Sequence, residues 1–129
     1  MLKTLFIIGS LIPNVAGTIE PPIKYQKDNA VRIEFLSEKD VQKKCMRLTG
    51  DREATACASV ELMTMPRACG NRSKYAKVVC DKLDDKATFV TFPDTLPNPC
   101  SFKRGGEYAE LMCHELGHVN GWPPKHPRK

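Results

Sequence analysis

Six cysteines in 129 residues, Cys45, Cys57, Cys69, Cys80, Cys100 and Cys113, constrain this chain more than any other feature. Their number is even, none forms C-x-x-C, and all lie downstream of a start that reads as an export signal over residues 1–17. Met1-Leu2-Lys3 is a short basic start, residues 5–12 are an apolar stretch too short to span a bilayer, and Val15-Ala16-Gly17 offers small residues for cleavage. Evenly numbered, spaced cysteines behind such a signal predict a disulfide framework in an oxidising compartment, secreted or periplasmic. The lack of C-x-x-C argues against a redox motif or a cysteine-rich zinc module. Six cysteines allow fifteen pairings, and the spacing does not choose among them. Cys113 is read as an anchor for the helix that carries it, with Cys100 across the 101–106 loop as its candidate partner.

Residues 18–129 suffice for one small domain, whose modest core the crosslinks would supplement. No second apolar segment could span a membrane. The net charge is +5, with the basic residues scattered as on a solvated surface. No aromatic–basic interleaving suggests a nucleic-acid partner.

Local patterns predict an α+β chain. Residues 18–30 read as an extended arm. Val31-Arg32-Ile33-Glu34-Phe35-Leu36 alternates as a half-buried strand. Ser37 caps an amphipathic helix that runs to Leu48 and stops at Thr49-Gly50-Asp51. Strands are expected over residues 58–63 and 75–80. Residues 87–92, Ala-Thr-Phe-Val-Thr-Phe, carry the strongest β signal. A proline- and glycine-containing loop then leads into a helix over residues 107–120.

That last helix carries His114-Glu115-Leu116-Gly117-His118, an H-E-x-x-H run. Residues four apart share a helix face, so both imidazoles can hold one metal ion while the intervening glutamate reaches a metal-bound water. With His114 at 0° and 100° per residue, His118 falls at about 40° and Glu115 at about 100°. Tyr108, Met112, Leu116 and Val119 cluster between about 120° and 200° as a stripe to be buried. Glu107 and Glu110 lie on the histidine side, either as carboxylates supporting the ligands or as surface groups compensating the helix dipole. Gly117 reads as a clearance position beside the metal.

A catalytic zinc needs three protein ligands and an open position. Downstream of His118 there is no acid, and the remaining side-chain donor is His126. Gly121 can end the helix, Trp122 can anchor the turn, and Pro123-Pro124 can return His126 to the metal. These residues resemble the zincin metallopeptidases, and among them the metzincin branch with its H-E-x-x-H-x-x-G-x-x-H. His114, Glu115, His118 and Gly121 match in place, whereas His126 follows Gly121 by five residues instead of three, and no chain remains for a methionine-containing turn. The resemblance spans about thirteen residues. It implies a minimal zincin-like domain: a small twisted sheet packed on two main helices, disulfide-stabilised, with the motif helix below an edge strand. The strand at 87–92 is the expected substrate-binding edge.

The function these residues imply is peptide-bond hydrolysis by an exported, monomeric zinc (Zn2+) peptidase acting on a protein or peptide substrate. His114, His118 and His126 would bind the metal, and Glu115 would be the general base. The alternatives are a non-catalytic zinc- and disulfide-stabilised secreted binding module, and a disulfide-held interaction protein in which the motif is accidental. No oxyanion-stabilising side chain is assignable.

Overall fold

The computed structural model describes residues 19–84 and 88–124. The signal at 1–17, Ala87 and His126 therefore lie outside the described residues. The elements are β1 (Val31–Leu36), α1 (Glu38–Thr49), β2 (Cys57–Ala58), β3 (Leu62–Pro66), α2 (Lys74–Leu83), β4 (Phe89–Phe92) and α3 (Glu107–Val119), after a 3-10 turn at Ile23–Tyr25.

The alternation in β1 buries Val31, Ile33 and Phe35 and turns Arg32 outward. Ser37 then caps α1, its Oγ accepting from the Asp40 amide at 3.2 Å. This helix is the crossover that lets β1 lie parallel to β3. β2 and β4 pair antiparallel on the two flanks, so the sheet runs β2-β3-β1-β4. The domain is a disulfide-stabilised α+β fold around this four-stranded sheet.

Two expected elements differ. Residues 75–80 are helical, within α2, so among the described residues three helices and not two flank the sheet. The Val78-Val79 pair carries the strand signal, but Ser73 Oγ accepts from the Ala76 amide at 3.4 Å and opens a helix. A helical period then places Tyr75, Ala76 and Val79 in the core together. The strand expected at 58–63 is instead a hairpin, β2 and β3, whose turn is held by Ser59 Oγ accepting from the Leu62 amide at 3.2 Å.

The core lies between the sheet and α2 and α3, with Ile33, Met63, Met65, Tyr75, Phe92, Met112 and Leu116 at its centre. Each buried tyrosine hydroxyl donates to a carbonyl: Tyr75 to Pro97 at 2.6 Å and Tyr108 to Pro66. Burial raises both phenol pKa values above the ordinary range.

Cys45–Cys57 joins α1 to β2, Cys69–Cys80 joins the chain before α2 to its last turn, and Cys100–Cys113 joins the loop to α3 as expected. The separations of 12, 11 and 13 residues correspond to about 3 kcal/mol of unfolded-chain entropy each in the chain-entropy account. Among the described residues no helix is long and apolar enough to cross a membrane.

Candidate metal centre

α3 buries the stripe read from its sequence: Tyr108, Met112, Leu116 and Val119 are all in the core. Glu107 and Glu110 sit exposed in the first turn, where they oppose the helix dipole. The C-terminal end is a Schellman turn. The Trp122 amide donates to the Gly117 carbonyl at 2.9 Å and the Gly121 amide to the His118 carbonyl at 3.1 Å. Gly121 supplies the left-handed residue this turn needs, at φ +102°. The chain thus folds back and lays Trp122 over the last turns of α3.

The two imidazoles converge on this turn. His118 Nδ1 lies 2.8 Å from the carbonyl oxygen of Trp122, and His114 Nδ1 lies 2.7 Å from that of Ile19. A carbonyl oxygen can only accept, so each Nδ1 carries its proton, and a ring so held presents a lone pair at Nε2 when it is neutral. The two Nε2 atoms face each other at 3.3 Å. Two nitrogens held 2.0–2.1 Å from one tetrahedral zinc stand about 3.3–3.4 Å apart. The donor set, its tautomers and its spacing therefore fit two ligands of one tetrahedral ion, and carbonyl-held Nδ1 protons are the usual support of metal-binding histidines.

Trp122 walls the pair. Its ring stacks on His118 with centroids 4.9 Å apart and planes 14° apart, and stands edge-on to His114 at 5.0 Å. The clearance at Gly117 has a different occupant from the one expected: a Cβ at that position would come 2.7 Å from Pro21 Cβ and 3.0 Å from Trp122. The clearance admits the Pro21 ring and the indole, not a metal ion. Glu107 and Glu110 do not carry the supporting role considered for them on these two Nδ1 atoms, which falls to the main-chain carbonyls of Ile19 and Trp122.

Glu115 is 6 % exposed, and its carboxyl makes no hydrogen bond among the described residues. Burial alone pushes its pKa up to about 8, so without a neighbouring cation it is mostly protonated at neutral pH. A dication nearby would favour the carboxylate. Among the described residues no third histidine, cysteine, aspartate or glutamate joins the pair, and His126 lies outside them. Tyr75 and Tyr108 are engaged in the core and supply no oxyanion donor.

The expected substrate edge is also revised. β4 does flank the sheet, but α3 packs on β2 and β3 toward the opposite flank. The open space beside the N-terminal half of α3 is a cleft of about 440 Å³ lined by Glu20, Phe102, Lys103, Arg104, Glu110 and Cys113 among others. Its volume suits a short peptide segment. Searches against protein-family models, characterised proteins and solved structures return no match to this chain.

The arm expected at 18–30 is present, but its docking on α3 is not foreseen from the sequence. Pro21 is fully buried, and Ile19 supplies one of the two carbonyls that fix the histidines. Neither has a local signal, because a carbonyl acceptor is a property of every residue and its placement follows from tertiary structure alone.

Proposed function

We propose that this chain is an exported zinc-dependent peptidase. The observation that supports the reading most directly is the His114–His118 pair, with both Nδ1 protons fixed by carbonyls and both Nε2 atoms at tetrahedral ligand spacing. His126 is the proposed third ligand. Bound there, zinc would polarise the scissile carbonyl and lower the pKa of a water toward about 7.

Glu115 is the proposed general base, accepting a proton from the attacking water and delivering it to the leaving amine. Its environment suits the role, since a carboxyl whose pKa is raised by burial holds a proton more firmly than an exposed one. Trp122 shields the far side of the ligand pair from solvent. A short peptide segment would enter by the cleft beside the N-terminal half of α3, whose lining reaches Cys113 and not His114, Glu115 or His118. The three disulfides support an oxidising destination outside the cytosol.

A buried carboxyl with no hydrogen bond among the described residues is costly to a fold, and a purely structural zinc module has no use for it. Zinc quantification on protein purified without added metal, combined with a peptide-library cleavage screen on wild type and Glu115→Gln, tests the reading. One equivalent of zinc in both and cleavage in wild type alone is the expected result. A folded protein that ignores added zinc overturns it.

A further inference from the structure

The segment 19–29 lies along α3 and is fastened to it far more heavily than a surface arm requires. Asn120, just past the end of α3, gives its whole side chain to this contact. Its Nδ2 donates to the carbonyls of Tyr25 at 2.7 Å and Lys27 at 2.8 Å, and its Oδ1 accepts from Asn29 Nδ2 at 2.8 Å. Asn98, from the loop before α3, adds bonds from its Nδ2 to the Gln26 carbonyl at 3.0 Å and to Asp28 at 2.8 Å. Within the arm, Gln26 Nε2 donates to the Pro21 carbonyl at 2.7 Å and to Glu20 at 3.0 Å, folding the leading residues back on the 3-10 turn. Pro21 then seats against Gly117. The end of this chain of contacts is the Ile19 carbonyl, on His114 Nδ1.

We infer that residues 19–29 are a clasp that sets the metal affinity of the histidine pair, with Asn120 as the positioning residue that latches it. The inference rests on the metal reading above. A docked arm holds the proton of His114 on Nδ1 and its lone pair on Nε2, in line with the lone pair of His118. Undocking the arm takes the Ile19 carbonyl away from His114 Nδ1, and with it the bond that fixes this tautomer. The Nδ1 of His118 takes its carbonyl from Trp122, which lies outside the arm. The coupling runs both ways by thermodynamic necessity: whatever factor the docked arm adds to zinc affinity, zinc adds to docking of the arm.

The test compares wild type, Asn120→Ala and the milder Asn29→Ala, each oxidised and full-length, using zinc alone as the probe. Zinc dissociation constants come from competition with a chromophoric chelator. Arm docking is read by amide hydrogen exchange over residues 19–29 with and without zinc, and the tautomers of His114 and His118 by long-range 1H–15N NMR on the metal-free protein. Zinc should slow exchange in the wild-type arm. Asn120→Ala should weaken zinc binding on the order of tenfold or more, the usual scale for loss of support behind a ligand. His114 should lose its pure Nδ1–H tautomer while His118 keeps it, which general destabilisation would not produce. Asn29→Ala, which removes one of the three latch bonds, should shift all three readouts in the same direction by less, and decides the matter if Asn120→Ala does not fold. Variants with faster arm exchange but zinc affinity and His114 tautomer equal to wild type overturn the clasp while leaving the metal site standing. A wild type that takes up no zinc overturns the metal reading and the clasp together.

Discussion

Replacing Gly117 with alanine probes the packing behind the histidines with a single methyl group. On an open helix surface the change would stabilise the protein by about 1 kcal/mol, because alanine is the better helix former. Here the added Cβ would stand 2.7 Å and 2.8 Å from two carbons of the Pro21 ring and 3.0 Å from the Trp122 indole. Neither neighbour is the loose end of a flexible chain. Pro21 is a fully buried rigid ring, and Trp122 is buried and stacked on His118. Overpacking of this kind costs about 1–3 kcal/mol, which cancels or outweighs the helical gain. The net expectation is destabilisation of up to about 2 kcal/mol. The displaced groups also carry the two carbonyls: Trp122 is the acceptor for His118, and Ile19, two residues before Pro21, is the acceptor for His114. Zinc affinity should therefore fall about 10–100-fold. Urea unfolding of the metal-free oxidised protein gives the stability change, and chelator competition gives the affinity. A variant that is more stable than wild type by the intrinsic helical increment and binds zinc equally well would refute the argument that Gly117 is kept small for Pro21 and Trp122.

Three further outcomes are expected. Glu115→Gln should keep zinc but lose turnover by a factor of about 10²–10⁴, as for removal of a general base; unchanged peptide cleavage would place the chemistry elsewhere. In the metal-free protein the same substitution should change the pH profile of stability. Glu115 binds its proton up to about pH 8 in the fold against an ordinary value of 4.5. Wild-type stability should therefore fall between those values by up to roughly 1.4 kcal/mol per pH unit. Glu115→Gln should lack that slope and be the more stable protein near pH 7, whereas parallel urea profiles from pH 5 to 9 would contradict it. His126→Ala should weaken zinc binding markedly while deletion of Arg128 and Lys129 does little; if His126→Ala binds zinc as wild type does, the third ligand lies elsewhere.

The parts of the fold legible in the sequence are those decided by local periodicity. β1 follows from the alternation of Val31, Ile33 and Phe35, and α1 from Ser37 with Val41 and Cys45 four apart on one buried face. The burial of one α3 stripe and the meeting of the His114 and His118 rings both follow from a 3.6-residue repeat. Where two periods compete, the sequence misleads. At 75–80 the β-branched pair suggests a strand, and only the cap at Ser73 and the shared burial of Tyr75, Ala76 and Val79 decide for a helix. The edge nearest α3 and the role of the arm are non-local. Nothing in Ile19 or Pro21 foretells contact with residues about a hundred positions away, so the groups that fix the imidazoles emerge only with the assembled domain.

Each cysteine pairs with the next one along the chain, and no loop encloses or interleaves with another. A chain crossing a membrane as an extended thread can therefore be crosslinked in order of arrival. In such a chain Cys57 would meet Cys45 after 12 further residues, Cys80 would meet Cys69 after 11, and Cys113 would meet Cys100 after 13. Simple first-come pairing yields the native set, whereas nested connectivities would first form wrong bonds and then require an isomerase to exchange them. The third bond closes at the residue immediately before His114. The helix that carries His114 and His118 is thus tied, through Cys113, to a framework whose bonds can close in the order of the sequence.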